Sequence, residues 1–298
     1  MAGLYWHDGT WHTEAPRLTG PADHAFWLGS VVFDGARAIR GATPDLDLHC
    51  ARVVASARSM LMRPTKTADE IEALCREAVA RFPADAELYV RPQFFVRGGL
   101  GAAQPDPDTT DFCLAVYDAL LPPDAGFSSA LVPFRRPAPD MAPTDAKAAA
   151  LYPNSSRATA HARARGFDQA VVLDPDGDVA EFATANLMLA KGGAVLTPSA
   201  NGTFLAGITR ARVIALLRGA GVEVRECAVP PAMLDEADEI FATGNYGKVQ
   251  RCARHEGRDL PPGPLAALAR RLYFEWADAQ RGEGTAAADG GAGLPRAA

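Results

Sequence analysis

Lysine is scarce in this sequence of 298 residues. Only four of its 30 basic side chains are lysines, at positions 66, 147, 191 and 248, and the other 26 are arginines. Chemistry that needs a covalently reacting amine therefore has few candidate residues, and each of the four can be weighed on its neighbours.

Excess basic charge, long apolar runs and paired cysteines are also missing. The net charge of −6 argues against a protein that binds nucleic-acid phosphates. No run approaches the roughly 18 apolar residues of a membrane span, and the first eight residues lack the basic and apolar parts of a secretory signal. The five cysteines form no Cys-x-x-Cys pair and no metal-type spacing. We expect a reduced, soluble, cytoplasmic protein with no metal, nucleic-acid or membrane partner.

The chain mixes short strands, tight turns and amphipathic helices. Asp8-Gly9 between aromatic residues predicts a hairpin, and Thr67 with Glu70 predicts a capping box that opens a helix. Residues 26–38, rich in aromatics, Gly and Val, are interpreted as one or two strands. Hairpins replace most of the crossovers that a doubly wound sheet would need, which favours an α+β protein.

A domain boundary is predicted near residues 120–126, where two prolines and a glycine interrupt both helix and strand patterns. We therefore expect a small α+β domain over 1–119, a linker over 120–126 and a large α+β domain over 127–280. Residues 281–298 are rich in Gly and Ala and have little to bury, so they are expected to form a disordered tail.

Three kinds of residue could carry chemistry. Lys147 stands among small residues after a Pro-rich loop, although a surface lysine on an Ala-rich helix is the plainer interpretation. Gly207 precedes a helix whose first N–H groups could meet an anion, or is an ordinary helix start. Glu181 and Arg91 lie in predicted strands, where a buried charge needs a partner of opposite sign. Together, an amine, a carboxylate, a helix N-terminus and arginines suit pyridoxal phosphate and an amino acid.

The order of these motifs resembles that of the fold-type IV pyridoxal-phosphate enzymes, and most of all the branched-chain amino acid aminotransferases. The resemblance extends from about Trp6 to Trp276. It is carried by Val32-Phe33-Asp34-Gly35-Ala36-Arg37-Ala38, His49-Cys50-Ala51-Arg52, Tyr89-Val90-Arg91-Pro92, Lys147 with Tyr152, Arg165-Gly166-Phe167-Asp168-Gln169-Ala170, Val179-Ala180-Glu181 with Asn186, and Gly207-Ile208-Thr209-Arg210.

The resemblance implies a two-domain α+β fold like that of D-amino acid aminotransferase, with pyridoxal 5'-phosphate held in the interdomain cleft. It implies that Lys147 is the catalytic Schiff-base lysine. The implied cofactor-binding residues are Arg52, Lys147, Tyr152, Glu181, Ile208, Thr209 and Asn245, and the implied substrate-binding residues are Phe33, Gly35, Tyr89, Arg91 and Tyr246. It also implies a homodimer or larger homo-oligomer, with the loop at 98–102 completing the site of a second subunit.

The implied activity is transfer of the amino group of Leu, Ile or Val to 2-oxoglutarate, by a ping-pong mechanism through an aldimine on Lys147. Four departures from the common family pattern bear on the substrate: Leu28 stands in place of a Tyr, Ala150-Leu151 in place of Gly-Asn, Phe182 in place of a Gly, and Asn245-Tyr246 in place of Thr-Ala. The alternatives are a transaminase of D-amino acids or (R)-amines and, less favoured, an aminodeoxychorismate-type lyase.

Overall fold

The computed structural model describes residues 3–101 and 103–281. The chain forms two compact units. Unit 1 contains the residues up to Leu121 together with Pro137–Pro153, and unit 2 contains Pro122–Arg136 and the residues from Asn154 onward. The segment that carries Lys147, which the linker prediction places in the large domain, thus belongs to the first unit. The predicted tail lies, from residue 282 onward, outside the described residues. No helix in the described ranges is long and apolar enough to cross a membrane.

Unit 1 is built on an antiparallel sheet with two longer helices. Its strands are β1 Gly3–His7, β2 Thr10–His12, β3 Val31–Phe33, β4 Ala36–Ile39, β5 Glu87–Val96, β6 Gly99–Leu100, β7 Gln104–Pro105 and β8 Thr110–Asp118. Its helices are α1 His24–Leu28, α2 Leu46–Ser59 and α3 Ala68–Val79, with short 3-10 helices at Pro107–Thr109 and Ala149–Leu151.

The main sheet of unit 1 has the order β2-β1-β8-β5-β3, with β4 also paired to β5. Successive side chains of a strand point to opposite faces. The even-numbered residues of β5, from Leu88 to Val96, are buried, and all of them except Pro92 belong to the core that α2 and α3 complete. Its odd-numbered residues, among them Tyr89 and Arg91, therefore lie on the opposite face, which is free to carry polar groups.

Two local predictions for unit 1 are confirmed and one is partly wrong. The hairpin β1–β2 turns at Asp8-Gly9. The N-cap Thr67 side chain accepts a hydrogen bond from the Glu70 backbone N–H, while the Glu70 carboxylate accepts one from the Thr67 N–H. Within 26–38, however, residues 26–28 belong to α1, which ends at Gly29 in the left-handed region with φ 70°. Only β3 and β4 are strands there.

Unit 2 contains a nine-stranded mixed sheet. Its strands are β9 Phe127–Arg135, β10 Gln169–Leu173, β11 Val179–Phe182, β12 Asn186–Lys191, β13 Ala194–Pro198, β14 Val224–Cys227, β15 Glu239–Gly244, β16 Lys248–His255 and β17 Arg258–Asp259. Its helices are α4 Tyr152–Ala164, which starts at the last residues of unit 1, α5 Ile208–Gly219, α6 Ala232–Glu236 and α7 Pro264–Ala279.

The sheet of unit 2 has the order β11-β10-β9-β16-β15-β12-β13-β14, with β17 paired to β16. Helices α5 and α7 bury their apolar faces against β15 and β16. Two pairs of residues on neighbouring strands matter for the site. One joins segments that are distant in the sequence, and the other flanks a tight turn. Asn186 of β12 pairs with Thr243 of β15, and Gly244 of β15 pairs with Lys248 of β16.

Candidate active site

Lys147 lies on an irregular segment of unit 1 that backbone contacts hold in place. Its N–H donates to the Ser56 hydroxyl of α2 at 3.0 Å, and its carbonyl accepts from the Phe33 N–H of β3 at 3.1 Å. The neighbouring Ala146 and Ala148 are buried. The interpretation of Lys147 as a surface residue on an Ala-rich helix is therefore wrong.

The amine of Lys147 is surrounded by two aromatic rings. Nζ donates to the Tyr152 hydroxyl at 2.7 Å and lies 5.0 Å from the centroid of the Phe33 ring. The Phe33 and Tyr152 rings are themselves 5.1 Å apart. Unit 1 thus brings together three of the residues that the sequence singles out, although Phe33 of β3 is far along the chain from Lys147 and Tyr152.

Arg52 is held by a carboxylate that the sequence pattern did not assign to the site. Asp34 is fully buried, and it accepts from Arg52 Nε at 2.6 Å and from Arg52 Nη2 at 2.9 Å. His49 Nδ1 lies 2.7 Å from the same carboxylate, and the N–H of Gly35 donates to it. Burial alone would raise the pKa of Asp34, but the charges of Arg52 and His49 outweigh it and hold that pKa well below its usual range. The carboxylate in turn raises the pKa of Arg52 against the effect of burial.

The polar face of the unit 1 sheet carries stacked tyrosines and arginines. The Tyr89 and Tyr117 rings are 5.6 Å apart and nearly parallel, and Arg91 lies over the Tyr117 ring at 5.4 Å. Burial, with smaller contributions from Asp34 and Tyr117, raises the pKa of Tyr89 to about 12. The Nε of Arg91 is buried and has no hydrogen-bond partner among the residues that the structure describes. An unsatisfied buried donor of this kind marks a place for an anion.

Glu181 lies in β11 of unit 2 and is 7% exposed. Its Oε1 is 3.4 Å from Arg136 Nε, and its Oε2 accepts from Asn186 Nδ2 at 3.1 Å. Glu181 is therefore a buried carboxylate with a cationic partner, as a charge buried in a strand requires. Both of its oxygens are engaged, so the carboxylate is fixed in position inside unit 2.

Ile208 and Thr209 form the first turn of α5, as the Gly207 motif predicted. Gly207 is the N-cap, and a Cβ at that position would stand 1.8 Å from Asn186 Oδ1. Only glycine therefore allows the helix to begin this close to Asn186. Asn186 also donates to Glu181, so its side chain lies between that carboxylate and the start of α5. The first N–H groups of a helix have no acceptor within the helix and can bind an anion.

Asn245 and Tyr246 lie in the three-residue connection between β15 and β16. The Asn245 Oδ1 accepts from Lys248 Nζ at 2.8 Å, whereas Tyr246 is 64% exposed. A Cβ at Gly244 would come within 3.2 Å of the Ala185 Cβ. This connection therefore lies beside the segment that joins Glu181 to Asn186 within unit 2.

Several residues of these clusters were not predicted from the sequence as site residues. Asp34 lies inside the motif Val32–Ala38, between two candidate residues, and the i, i+3 spacing of His49 and Arg52 puts both on one face of α2. Arg136 carries no local signal, because its partner Glu181 is 45 residues away. The roles assigned to the predicted site residues stay predictions.

The comparison with protein families points to the same group of enzymes. The model of the family described as "Amino-transferase class IV" matches residues 31–254, most of the chain. The chain therefore belongs to the class IV aminotransferases, and it is a pyridoxal-phosphate-dependent aminotransferase. This confirms the family, the α+β fold class and the cofactor that the sequence predicted.

Within the family, the chain is similar to branched-chain enzymes. It is 29% identical over 262 residues to the branched-chain-amino-acid aminotransferase of Salmonella typhimurium, covering 84% of each chain. The crystal structure of the Escherichia coli enzyme of that name superimposes with a TM-score of 0.86 at 26% identity, over 92% of this chain and 94% of the other. An aminotransferase from Brucella abortus, bound to pyridoxal phosphate, superimposes with a TM-score of 0.92 at 45% identity, over 93% of this chain and all of the other.

Proposed function

We propose that this aminotransferase moves the amino group of a branched-chain L-amino acid, Leu, Ile or Val, to 2-oxoglutarate, with Lys147 as the catalytic residue. The observation that carries the proposal is the amine of Lys147, held 2.7 Å from the Tyr152 hydroxyl and 5.0 Å from the Phe33 ring. The hydrogen bond to the phenol holds the amine in position, and the apolar ring limits its hydration.

Each unit, taken by itself, contains groups that suit a part of pyridoxal phosphate. We assign phosphate binding to Arg52 in unit 1, because a paired guanidinium favours an oxyanion, and to the backbone N–H groups of Ile208 and Thr209 in unit 2, because a helix N-terminus does so as well. We assign its pyridine nitrogen to Glu181, and a further phosphate contact to Asn245. When bound, the cofactor supplies an aldehyde that reacts with amines and a ring that accepts electrons from the substrate Cα.

The residues around Lys147 account for the proton movements of the reaction. With the cofactor bound, the amine of Lys147 would act as the base that takes a proton from the substrate Cα and delivers it to the carbon of the cofactor that was its aldehyde carbon. Tyr152 keeps that amine in place through the Nζ–hydroxyl hydrogen bond. Arg136 Nε lies 3.4 Å from Glu181 Oε1 and helps to hold this carboxylate in place, so that it could accept a hydrogen bond from a protonated pyridine nitrogen.

Arg91 supports a substrate with a carboxylate. Its buried Nε has no hydrogen-bond partner among the described residues, and its guanidinium lies against Tyr117. A carboxylate is the natural partner for such a group, because it satisfies the orphaned donor and the charge together. We assign Tyr89 and Arg91 to the carboxylates of the amino acid and of 2-oxoglutarate, with Phe33, Gly35 and Tyr246 as further substrate contacts.

A homodimer is proposed as well. Phe26 is 64% exposed, Trp27 55% and Leu100 49%, and apolar side chains exposed to this extent favour cover by another protein surface. Light scattering of the purified protein tests the dimer, and a monomer at every concentration would contradict it.

The activity is tested with purified protein loaded with pyridoxal phosphate. Each amino donor is offered with 2-oxoglutarate, and the 2-oxo acid and glutamate formed are measured. L-Leu, L-Ile and L-Val are compared with D-Ala and (R)-1-phenylethylamine, and a reaction without any acceptor is monitored for pyruvate. We expect product only with the branched-chain L-amino acids. Product only with the D-amino acid or the (R)-amine would overturn the substrate assignment, and pyruvate without acceptor would indicate a lyase.

A further inference from the structure

Lys248 is unusual for a lysine in both its burial and its backbone conformation. It is 1% exposed, although lysine is rarely buried. It also has a φ of 59°, in the left-handed region where a residue other than glycine costs roughly 1–2 kcal/mol. Residues that carry costs of this kind are concentrated at functional sites.

The ammonium of Lys248 lies inside unit 2 between two elements. On one side it donates to Asn245 Oδ1 at 2.8 Å, and on the other it is 5.6 Å from the centroid of the Tyr273 ring of α7. Tyr273 is fully buried, so this wall of the ammonium pocket is rigid core. The lysine therefore fastens the turn at 245–247 to the packed interior.

The contact also fixes which way the Asn245 amide faces. Because the amide oxygen accepts from the ammonium, the amide nitrogen is directed away from Lys248 and is the end that donates. The turn is close to the Glu181 cluster: Gly244 packs at Ala185, and Thr243 pairs with Asn186, the residue that donates to Glu181.

We propose that Lys248 is a positioning residue for oxyanion binding, acting through Asn245. Its ammonium holds the amide oxygen, so that the amide nitrogen donates to an oxyanion of a bound ligand, either the cofactor phosphate or the substrate carboxylate. The inference rests on the proposed function, since that function assigns ligand contacts to the turn at 245–246.

The first experiment compares Lys248→Met with Lys248→Arg and with the matched control Lys191→Met. Lys191 is an exposed lysine paired with Glu236, outside the proposed site. The affinity of the apoprotein for pyridoxal phosphate is measured by titration, together with kcat and the KM of the amino donor, and the unfolding midpoint in urea. We expect Lys248→Met to weaken oxyanion binding about tenfold, since a hydrogen bond to an ionic ligand is worth roughly that factor. Lys248→Arg retains a cation and is expected to recover part of the loss.

The two sources of the oxyanion give different results. Weaker cofactor affinity with an unchanged donor KM assigns Asn245 to the phosphate, and the reverse pattern assigns it to the substrate carboxylate. Stability separates positioning from a structural role, because replacing a buried charge by an apolar side chain of similar size is often neutral or stabilising. A lower urea midpoint with both affinities intact would overturn the proposal.

A double-mutant cycle tests the route through Asn245. If Lys248 acts through that side chain, Lys248→Met adds little to the loss caused by Asn245→Ala, and additive losses would contradict the route. Cofactor binding and KM of the wild type distinguish a failure of this inference from a failure of the proposed function. A wild type that fails to bind pyridoxal phosphate would overturn the function, whereas a wild type that binds it only as well as Lys248→Met, with equal KM, would overturn only the role of Lys248.

Discussion

In each unit an ion pair holds a charged residue of the proposed site, but the sign of the charge that is held differs between the two units. In unit 1, a buried carboxylate, Asp34, is the support, and the cation Arg52 is the group that it holds. In unit 2, the cation Arg136 is the support, and the carboxylate Glu181 is held. In unit 1 the Asp34 carboxylate is fully buried beneath an Arg52 side chain that is 17% exposed, whereas in unit 2 the Arg136 and Glu181 side chains are about equally buried, at 10% and 9% exposed. An ion pair of this kind orients a functional group at a cost in desolvation that packing around it must offset.

The amine of unit 1 is expected to show the largest effect. Lys147→Ala removes the amine that we propose carries the cofactor covalently and moves the Cα proton, so activity should fall by about a thousandfold or more. The visible absorption band of the bound cofactor should change as well, while the urea midpoint stays near that of the wild type. Initial rates and an absorption spectrum measure this. An unchanged spectrum in Lys147→Ala would mean that another amine carries the cofactor.

The carboxylate support of unit 1 comes next. Asp34→Asn leaves the Arg52 cation without its partner, and breaking a buried pair costs about 3 kcal/mol. The loss should appear in the free energy of unfolding and in cofactor affinity. The matched control is Asp108→Asn, because Asp108 pairs with Arg63 at an exposed position and should contribute less than about 1 kcal/mol. Equal effects of the two substitutions would remove the distinction between a buried support and a surface pair.

The low pKa of Asp34 also predicts that the free energy of unfolding decreases at acidic pH. The folded-state pKa lies below that of the unfolded chain, so the contribution is fully present above about pH 4 and is lost as the pH falls toward the folded-state value. Urea unfolding of wild type and Asp34→Asn at pH 6 and in steps below about pH 4 measures this. The difference between the two proteins should shrink as the pH falls, and a constant difference would contradict the assignment.

The cationic support of unit 2 is expected to matter somewhat less, because Asn186 still contacts Glu181. Arg136→Gln should lower the free energy of unfolding by about 2 kcal/mol and reduce kcat. Arg136 Nε also donates to the Thr203 carbonyl at 3.0 Å. Its neighbour Arg135 provides the control, since Arg135 likewise donates to backbone carbonyls, those of Asp174 and Pro175, but forms no ion pair with Glu181 among the described residues. Arg135→Gln should change kcat little. A kcat that falls equally in both variants would show that the pair with Glu181 has no special role.

The smallest effect is expected at Tyr89. Because burial raises its pKa to about 12, its hydroxyl stays protonated across the neutral range and is available only as a hydrogen-bond donor or neutral acceptor. Tyr89→Phe should raise the donor KM about threefold to tenfold with little change in kcat. A spectrophotometric titration of the tyrosines should lose a group that ionises near pH 12. Loss of a group near pH 10 instead would contradict the buried environment.

The features that the sequence predicted correctly are those whose contacts are local in the chain. The hairpin at Asp8-Gly9 and the capping box at Thr67 were predicted from the sequence because their contacts join residues within a few positions of each other. The helical turn at Phe26 was not, because its aromatic residues have strand propensity, and the fold rather than the propensity decides in such cases.

By itself, the sequence determined the mixed α+β class, the local turns and caps, and the order of motifs that marks the family. It also narrowed the reactive amine to four lysines. Only the tertiary structure showed which charged side chains are buried and paired: the Asp34–Arg52 pair, the Arg136–Glu181 pair and the ammonium of Lys248. The physical reason is that burial and pairing depend on residues far apart in the chain, and periodicity along one segment carries no information about them.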